Sequence, residues 1–122
     1  MQEIKTTVVF GASENPARYA NLAVKKLKSF GYSVIPIGLR EGKIDGIPIK
    51  VGKPEISNVD TITLYLNSSR QKEYYDYILN LKPRRIIFNP GAENEELEKI
   101  ARENRIETME ACTLVLLSTG QF

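Results

Sequence analysis

Residues 6–16 read Thr6-Thr7-Val8-Val9-Phe10-Gly11-Ala12-Ser13-Glu14-Asn15-Pro16. A β-branched apolar run stops at a glycine, and small and polar residues follow. Thr6–Phe10 reads as a buried strand. From Ala17 the pattern turns helical, with Ala20, Ala23, Val24, Leu27 and Phe30 on one face at 3.6-residue spacing. Gly31 fits the left-handed cap after that helix. A buried strand, a glycine turn and an amphipathic helix in that order are the opening of a βαβ unit.

The alternation continues along the chain. Tyr32–Ile37 reads as a second strand, and Gly38–Gly52 holds short pieces punctuated by Gly and Pro, with Ile47-Pro48-Ile49 a brief edge strand. Thr61–Leu66 is a clear β run. Arg70–Leu81 is predicted helical, with Tyr74, Tyr77, Ile78 and Leu81 on one face and Lys82-Pro83 as its stop. Arg85–Phe88 is the next strand and Asn89-Pro90-Gly91 a turn. Glu93–Asn104 is a helix with Leu97, Ile100 and Ala101 inward, and Arg105–Thr108 a last strand. Leu114–Leu117 is apolar, either a strand or a short closing helix. This alternation predicts a single domain over 1–122. Its class is α/β: a Rossmann-like three-layer α/β/α sandwich with a mainly parallel sheet.

Composition narrows the function. At 122 residues, 42 % hydrophobic and 26 % charged, the chain has the balance of a soluble globular protein. A net charge of +2 is too small to imply nucleic acid. No apolar run approaches the ~20 residues of a membrane helix, and Met1–Lys5 lacks the apolar stretch of a signal peptide. A cytoplasmic location is the resulting expectation. The chain has one cysteine, Cys112, and no histidine. A disulfide framework within the chain, a histidine base, a phosphohistidine and a His-ligated metal are therefore excluded, and no metal site is expected.

In a parallel sheet of this kind, ligands sit beyond the carboxyl ends of the strands at the switch point. The loops to watch are 11–18, 38–43, 67–70 and 89–93. In the first, Gly11 permits a tight turn and close backbone approach. Ser13 or Asn15 is placed to cap the helix, whose free N–H groups and dipole favour a phosphate. Arg18 lies just beyond as a charge-assisted donor. The three-glycine dinucleotide fingerprint is absent, since Ser13 and Pro16 stand where its second and third glycines would fall. The acid expected after the second strand is replaced by Ile37-Gly38-Leu39-Arg40. A basic group there suits a phosphorylated ribose, which leaves NADP and coenzyme A both open.

Tyr74, Tyr75 and Tyr77, at helical spacing, read as core and rim. Lys82, Arg84 and Arg85 read as a solvated turn at the far side from the site. Cys112 reads as a small buried hydrophobe, with a mixed disulfide to a thiol ligand as the reactive alternative. Asn67 and Ser68 are placed to touch ligand, and Ser69 to cap the helix that follows.

The ordered set of motifs resembles the small stand-alone CoA-binding proteins, which are similar to the CoA-binding domain of succinyl-CoA synthetase α-subunits and NDP-forming acyl-CoA synthetases. The resemblance spans nearly the whole chain. It is carried by Val8–Ser13 with Pro16, by Asn21 and Leu27, by Gly31–Ile37, by Ile44–Pro48, by Asp60, by Asn89-Pro90-Gly91 with Asn94-Glu95-Glu96, and by Cys112. The chain departs from the pattern at Gly38-Leu39, where the family usually has Asn-Pro, and at Glu110-Ala111, where it has Asp-Arg. The resemblance implies coenzyme A or acyl-CoA as ligand, with the diphosphate at Gly11, Ala12 and Ser13, beside Asn15, Arg18 and Tyr19. It places the adenosine against Pro36, Gly38, Leu39 and Arg40, and further contacts at Asn67, Ser68, Pro90 and Gly91. The ligase relatives use a phosphohistidine and an ATP-binding partner domain; this chain has no histidine. The expectation is a CoA-binding protein without catalytic machinery, alone, as a homodimer or beside a partner protein. The alternatives are a small NAD(P)-binding oxidoreductase or redox-sensing regulator, and an interaction protein whose ligand site has decayed.

Overall fold

All five residues of β1 (Thr6–Phe10) are buried, because the strand lies in the interior of the sheet with a parallel neighbour on each side. The computed structural model describes residues 4–122. Its seven-stranded sheet has the order β3-β4-β2-β1-β5-β6-β7. The other strands are β2 (Ser33–Gly38), β3 (Gly42–Ile44), β4 (Ile47–Val51), β5 (Val59–Leu64), β6 (Arg85–Phe88) and β7 (Glu107–Glu110). Only β3 runs antiparallel to its neighbour. The winding reverses between β1 and β5, which puts the switch point at the carboxyl end of β1.

Side chains of β1 alternate between two cores. Val9 faces α1 (Tyr19–Ser29) and α5 (Thr113–Ser118), packing with Ala20, Val24, Leu27 and Leu117. Val8 and Phe10 face the opposite layer with Tyr74, Ile78, Leu97 and Ala101. That layer holds α2 (Ser68–Gln71), a 3-10 turn (Lys72–Tyr74), α3 (Tyr75–Leu81) and α4 (Glu95–Glu103). Two helical layers thus enclose one mainly parallel sheet, the α/β/α sandwich expected from the alternation.

Several details differ from the sequence reading. Phe30 is not on the buried face of α1 but 53 % exposed, because the chain has already left the helix there. Gly31, at φ +85°, closes the helix: Tyr32 N–H donates to the Leu27 carbonyl and Gly31 N–H to that of Lys28. The run Ile47–Ile49 belongs to a strand inside the sheet rather than at its edge. The edge is β3, joined to β4 by a two-residue turn in which Asp45 and Gly46 both have positive φ. That Asp-Gly pair is the hairpin signal.

The helix over 70–81 is broken into α2, the 3-10 turn and α3, and it starts earlier, with Asn67 rather than Ser69 as cap. The last strand begins at Glu107, not Arg105. Arg105 sits at φ +62° and closes α4 in the manner of Gly31, with Ile106 N–H bonded to the Ala101 carbonyl. The Leu114–Leu117 segment is helical. Arg85 is not part of a solvated turn. It is buried at the start of β6, donating to Thr61 Oγ1 and to the Phe122 carbonyl while stacking 4.4 Å from the Phe122 ring.

A buried polar clamp joins β5, β6 and α5. Asn89 Nδ2 donates to Thr63 Oγ1 (2.6 Å) and the Leu64 carbonyl (2.9 Å), while its Oδ1 accepts the Thr113 N–H (2.8 Å). Asn89→Ala removes all three bonds and leaves the buried Thr113 N–H without its acceptor, while Thr63 Oγ1 keeps the Thr113 hydroxyl and the Leu64 carbonyl keeps the residue-89 N–H. It is expected to destabilise the fold by about 2–4 kcal/mol, read as a lower urea midpoint with an unchanged slope.

Candidate functional site

Gly11 leaves β1 at φ +92°, a conformation that side chains with a Cβ rarely adopt. Its N–H and that of Ala12 both donate to the Ile37 carbonyl, at 2.9 and 3.0 Å. The turn is therefore fastened to the end of β2. A Cβ on Gly38 would stand 2.3 Å from the Ala12 carbonyl oxygen, so the two backbones touch.

Beyond Ala12 the loop bonds mainly to itself. Ser13 Oγ accepts the Asn15 N–H, Asn15 Oδ1 accepts the Ala17 N–H, and the Asn15 carbonyl accepts the Arg18 N–H. Ser13 and Asn15 consequently do not cap α1. The capping position is Arg18, whose side chain makes no cap bond. The first turn of α1 is left with backbone donors and the positive end of the helix dipole. Asn21 is buried and holds the Ser13 carbonyl through Nδ2 (2.8 Å), while its Oδ1 has no partner.

An open cleft of about 740 Å³ lies over this turn. From the β1 loop and α1 it is lined by Gly11, Ala12, Ser13, Glu14, Arg18, Tyr19 and Ala20. Leu39, Arg40 and Glu41 line it from the segment after β2. Tyr65, Leu66, Asn67 and Arg70 line it from the segment after β5, and Pro90 from the turn after β6. These are the loops singled out by the switch-point rule. A narrow crevice continues from the cleft between Gly38, Leu39, Leu66, Arg70 and Tyr74.

Of the residues expected at a site, the cleft gathers Gly11, Ala12, Ser13, Arg18, Tyr19, Leu39, Arg40, Asn67 and Pro90, and the crevice Gly38. Asn15, Pro36, Ser68 and Gly91 lie outside both linings; Pro36 is buried within β2. Sequence reasoning missed Glu14, Glu41, Tyr65, Leu66 and Arg70. Arg70 falls in the 67–70 loop picked out by the switch-point rule, but it also reads as the start of a helix and is not singled out; the structure puts it on both the cleft and the crevice.

Three arginines, Arg18, Arg40 and Arg70, line the cleft together with two acidic residues, Glu14 and Glu41. Among the described residues none of the three makes an ion pair. Glu14 is already engaged, its Oε2 accepting the Lys43 N–H at 3.0 Å. The arrangement suits an anion with more than one charged group.

Tyr65 closes the far wall. Its hydroxyl is buried without a well-formed hydrogen bond, near the Thr63 and Thr113 hydroxyls and Cys112, and burial pushes its pKa up to about 12. The phenol stays protonated at neutral pH and cannot serve as a base there. Cys112 is half-buried at the start of α5. The described residues contain no cluster able to hold a metal ion, and no helix is long and apolar enough to cross a membrane.

Behind the cleft, Gln71 is fully buried. Its Nε2 donates to the carbonyls of Leu66 and Ala92, and its Oε1 accepts from Asn94 Nδ2. The loops after β5 and β6 are thereby locked together.

The CoA binding domain family model matches residues 5–118. The chain belongs to the CoA binding domain family. A crystal structure of an uncharacterised protein shares 50 % identity and a TM-score of 0.94, covering 99 % of this chain and 100 % of that one. A protein from Thermus thermophilus shares 24 % identity and a TM-score of 0.81, covering 98 % and 91 %. A dinucleotide-forming acetyl-coenzyme A synthetase from Ca. Korarchaeum cryptofilum superposes with a TM-score of 0.70 at 19 % identity, covering 88 % of this chain and 25 % of that chain. The last two are alike in fold. No curated protein matches.

The turn at Gly11 gives a direct test of the site's frame. A Cβ there meets the Tyr65 backbone and Cβ at 3.3 Å and forces a strained φ. Gly11→Ala is expected to lower stability by about 1–2 kcal/mol, measured by urea denaturation, and Gly11→Val by more.

Proposed function

We propose that this chain binds coenzyme A or an acyl-CoA in the cleft over Gly11 and does no chemistry on it unaided. The observation that carries this reading is the convergence of Arg18, Arg40 and Arg70 on one cleft at an uncapped helix start, in a chain of the CoA binding domain family. Coenzyme A bears a diphosphate and a separate 3′-phosphate, so it presents two anionic centres to these cations. The diphosphate lies at the Gly11–Ser13 turn and the first turn of α1, where backbone donors are available. The 3′-phosphate lies by Arg40, and the adenosine beside Leu39, at the mouth of the crevice. The pantetheine arm runs toward Tyr65, Asn67 and Pro90.

A volume of about 740 Å³ falls within the usual range of ligand clefts. Absence of histidine removes the phosphohistidine step used by ligases of this family. Burial holds Tyr65 protonated, which favours holding over turnover. An NADP reading is less well supported, because Ser13 and Pro16 stand where the dinucleotide fingerprint has its second and third glycines.

Isothermal titration tests this reading. Coenzyme A is expected to bind with a dissociation constant of ~1–100 µM, with NADP at least ~10-fold weaker. Absence of coenzyme A binding up to about 1 mM overturns it. Arg40→Ala should weaken coenzyme A by ~10-fold while leaving dephospho-CoA nearly unchanged. Arg70→Ala should weaken both. Equal losses for both ligands in Arg40→Ala refute the 3′-phosphate assignment.

A further inference from the structure

The segment that carries Arg40 is an arch of four residues, Leu39–Gly42, with both feet on the β1 loop. One foot is Gly38, whose α-carbon is pressed against the Ala12 carbonyl; a methyl group there would lie 2.3 Å from that oxygen. The other is Gly42 with Lys43. The Glu14 side chain lies under Gly42, where an added Cβ would stand 2.4–2.7 Å from Glu14 atoms, and Glu14 Oε2 accepts the Lys43 N–H at 3.0 Å. Lys43 sits opposite Pro48 in the β3–β4 pair, between the Gly42–Ile49 and Ile44–Ile47 pairs. Its N–H is therefore an outward donor of an edge strand, and Glu14 is the group that satisfies it.

Glu14 is otherwise out of place. It is a carboxylate in a cleft lined by three arginines, and its charge opposes the anion those arginines attract. Its bond to Lys43 and its fit under Gly42 give it a different task. We propose that Glu14 is a positioning residue, fixing the Leu39–Gly42 arch so that the Arg40 guanidinium stands over the phosphate-binding turn, an inference that rests on the coenzyme A reading of the cleft. Glu14 touches no ligand in this role; it acts through Arg40.

The charge and the hydrogen bond make opposite demands, and two variants separate them. Glu14→Gln removes the charge but keeps an acceptor for the Lys43 N–H. Glu14→Ala removes both. If Glu14 were only an unfavourable charge, both variants would bind coenzyme A more tightly. As a positioning residue, Glu14→Gln is expected to bind as well as the wild type or up to ~3-fold better, and Glu14→Ala ~5- to 10-fold more weakly. The loss in Glu14→Ala should fall on coenzyme A and not on dephospho-CoA. It should vanish in an Arg40→Ala background, because the partner it positions is gone.

Amide hydrogen exchange on the free protein reads the anchoring without any ligand. Protection of the Lys43 N–H should be lost in Glu14→Ala and kept in Glu14→Gln. Unchanged protection in Glu14→Ala overturns the proposal, as does a Glu14→Ala loss of the same size with and without Arg40. A wild-type chain that fails to bind coenzyme A overturns the ligand reading instead, and the exchange data then decide the anchoring by themselves.

Discussion

The Ile37 carbonyl accepts two N–H groups, those of Gly11 and Ala12, and the rest of the site is built out from that junction. It is a backbone contact between the ends of two parallel strands. It requires glycine at 11 for its positive φ and glycine at 38 for the approach of the Ala12 carbonyl. With the turn held there, the chain leaves the sheet in the direction that starts α1 over the switch point. The alternation of β1 then commits Val9 to one helical layer and Val8 and Phe10 to the other. Moving this junction by one residue would exchange those faces.

The cleft has two walls, and polar side chains fasten each through backbone groups. On one side Glu14 joins the β1 loop to β3. On the other, Gln71 bonds to the carbonyls of Leu66 and Ala92 and is itself held by Asn94, which bonds to Tyr75 and caps α4. Gln71 and Asn94 are buried, so breaking this chain leaves several interior polar atoms unsatisfied. Loops that would otherwise move independently are thereby made parts of the scaffold.

The fold was legible because strand and helix periods are written in apolar residues that the sheet buries. Val8, Val9, Leu27, Ile78 and Leu97 were all read as inward and all are fully buried. What failed was local geometry without a glycine or apolar signature. Arg105 takes the left-handed conformation usually left to glycine, so the last strand was read two residues early. The Asp45-Gly46 turn was visible as a motif, but β3 is too short to show a period of its own. The lining of the cleft was legible where it follows from topology, at Gly11–Ser13, Leu39, Arg40 and Pro90. It was not legible at Glu14 and Arg70. Their roles depend on what lies across the cleft, and a linear sequence does not place one loop against another. Arg85 shows the same limit in reverse: a charge beside a turn looked solvated, while the Phe122 ring and carbonyl that bury it lie 37 residues away.

Magnitudes say why the loops are so heavily tied. An exposed helix start contributes only ~0.3–1 kcal/mol toward an anion. A hydrogen bond from a charged group contributes ~1.5–3 kcal/mol. In the proposed reading, three arginines therefore outweigh the helix in holding a phosphorylated ligand. Each, however, carries ~2 kcal/mol of side-chain rotamer entropy that ordering can cost, and a mobile backbone beneath it would add ~1–2 kcal/mol per residue fixed. The structure removes the backbone part in advance. Arg18 N–H is bonded to the Asn15 carbonyl, Arg70 N–H to Asn67 Oδ1, and the arch bearing Arg40 is pinned at both ends. For the ligand proposed above, what remains to be ordered on binding is the side chains, so its affinity would depend on how firmly three short loops hold their arginines in place.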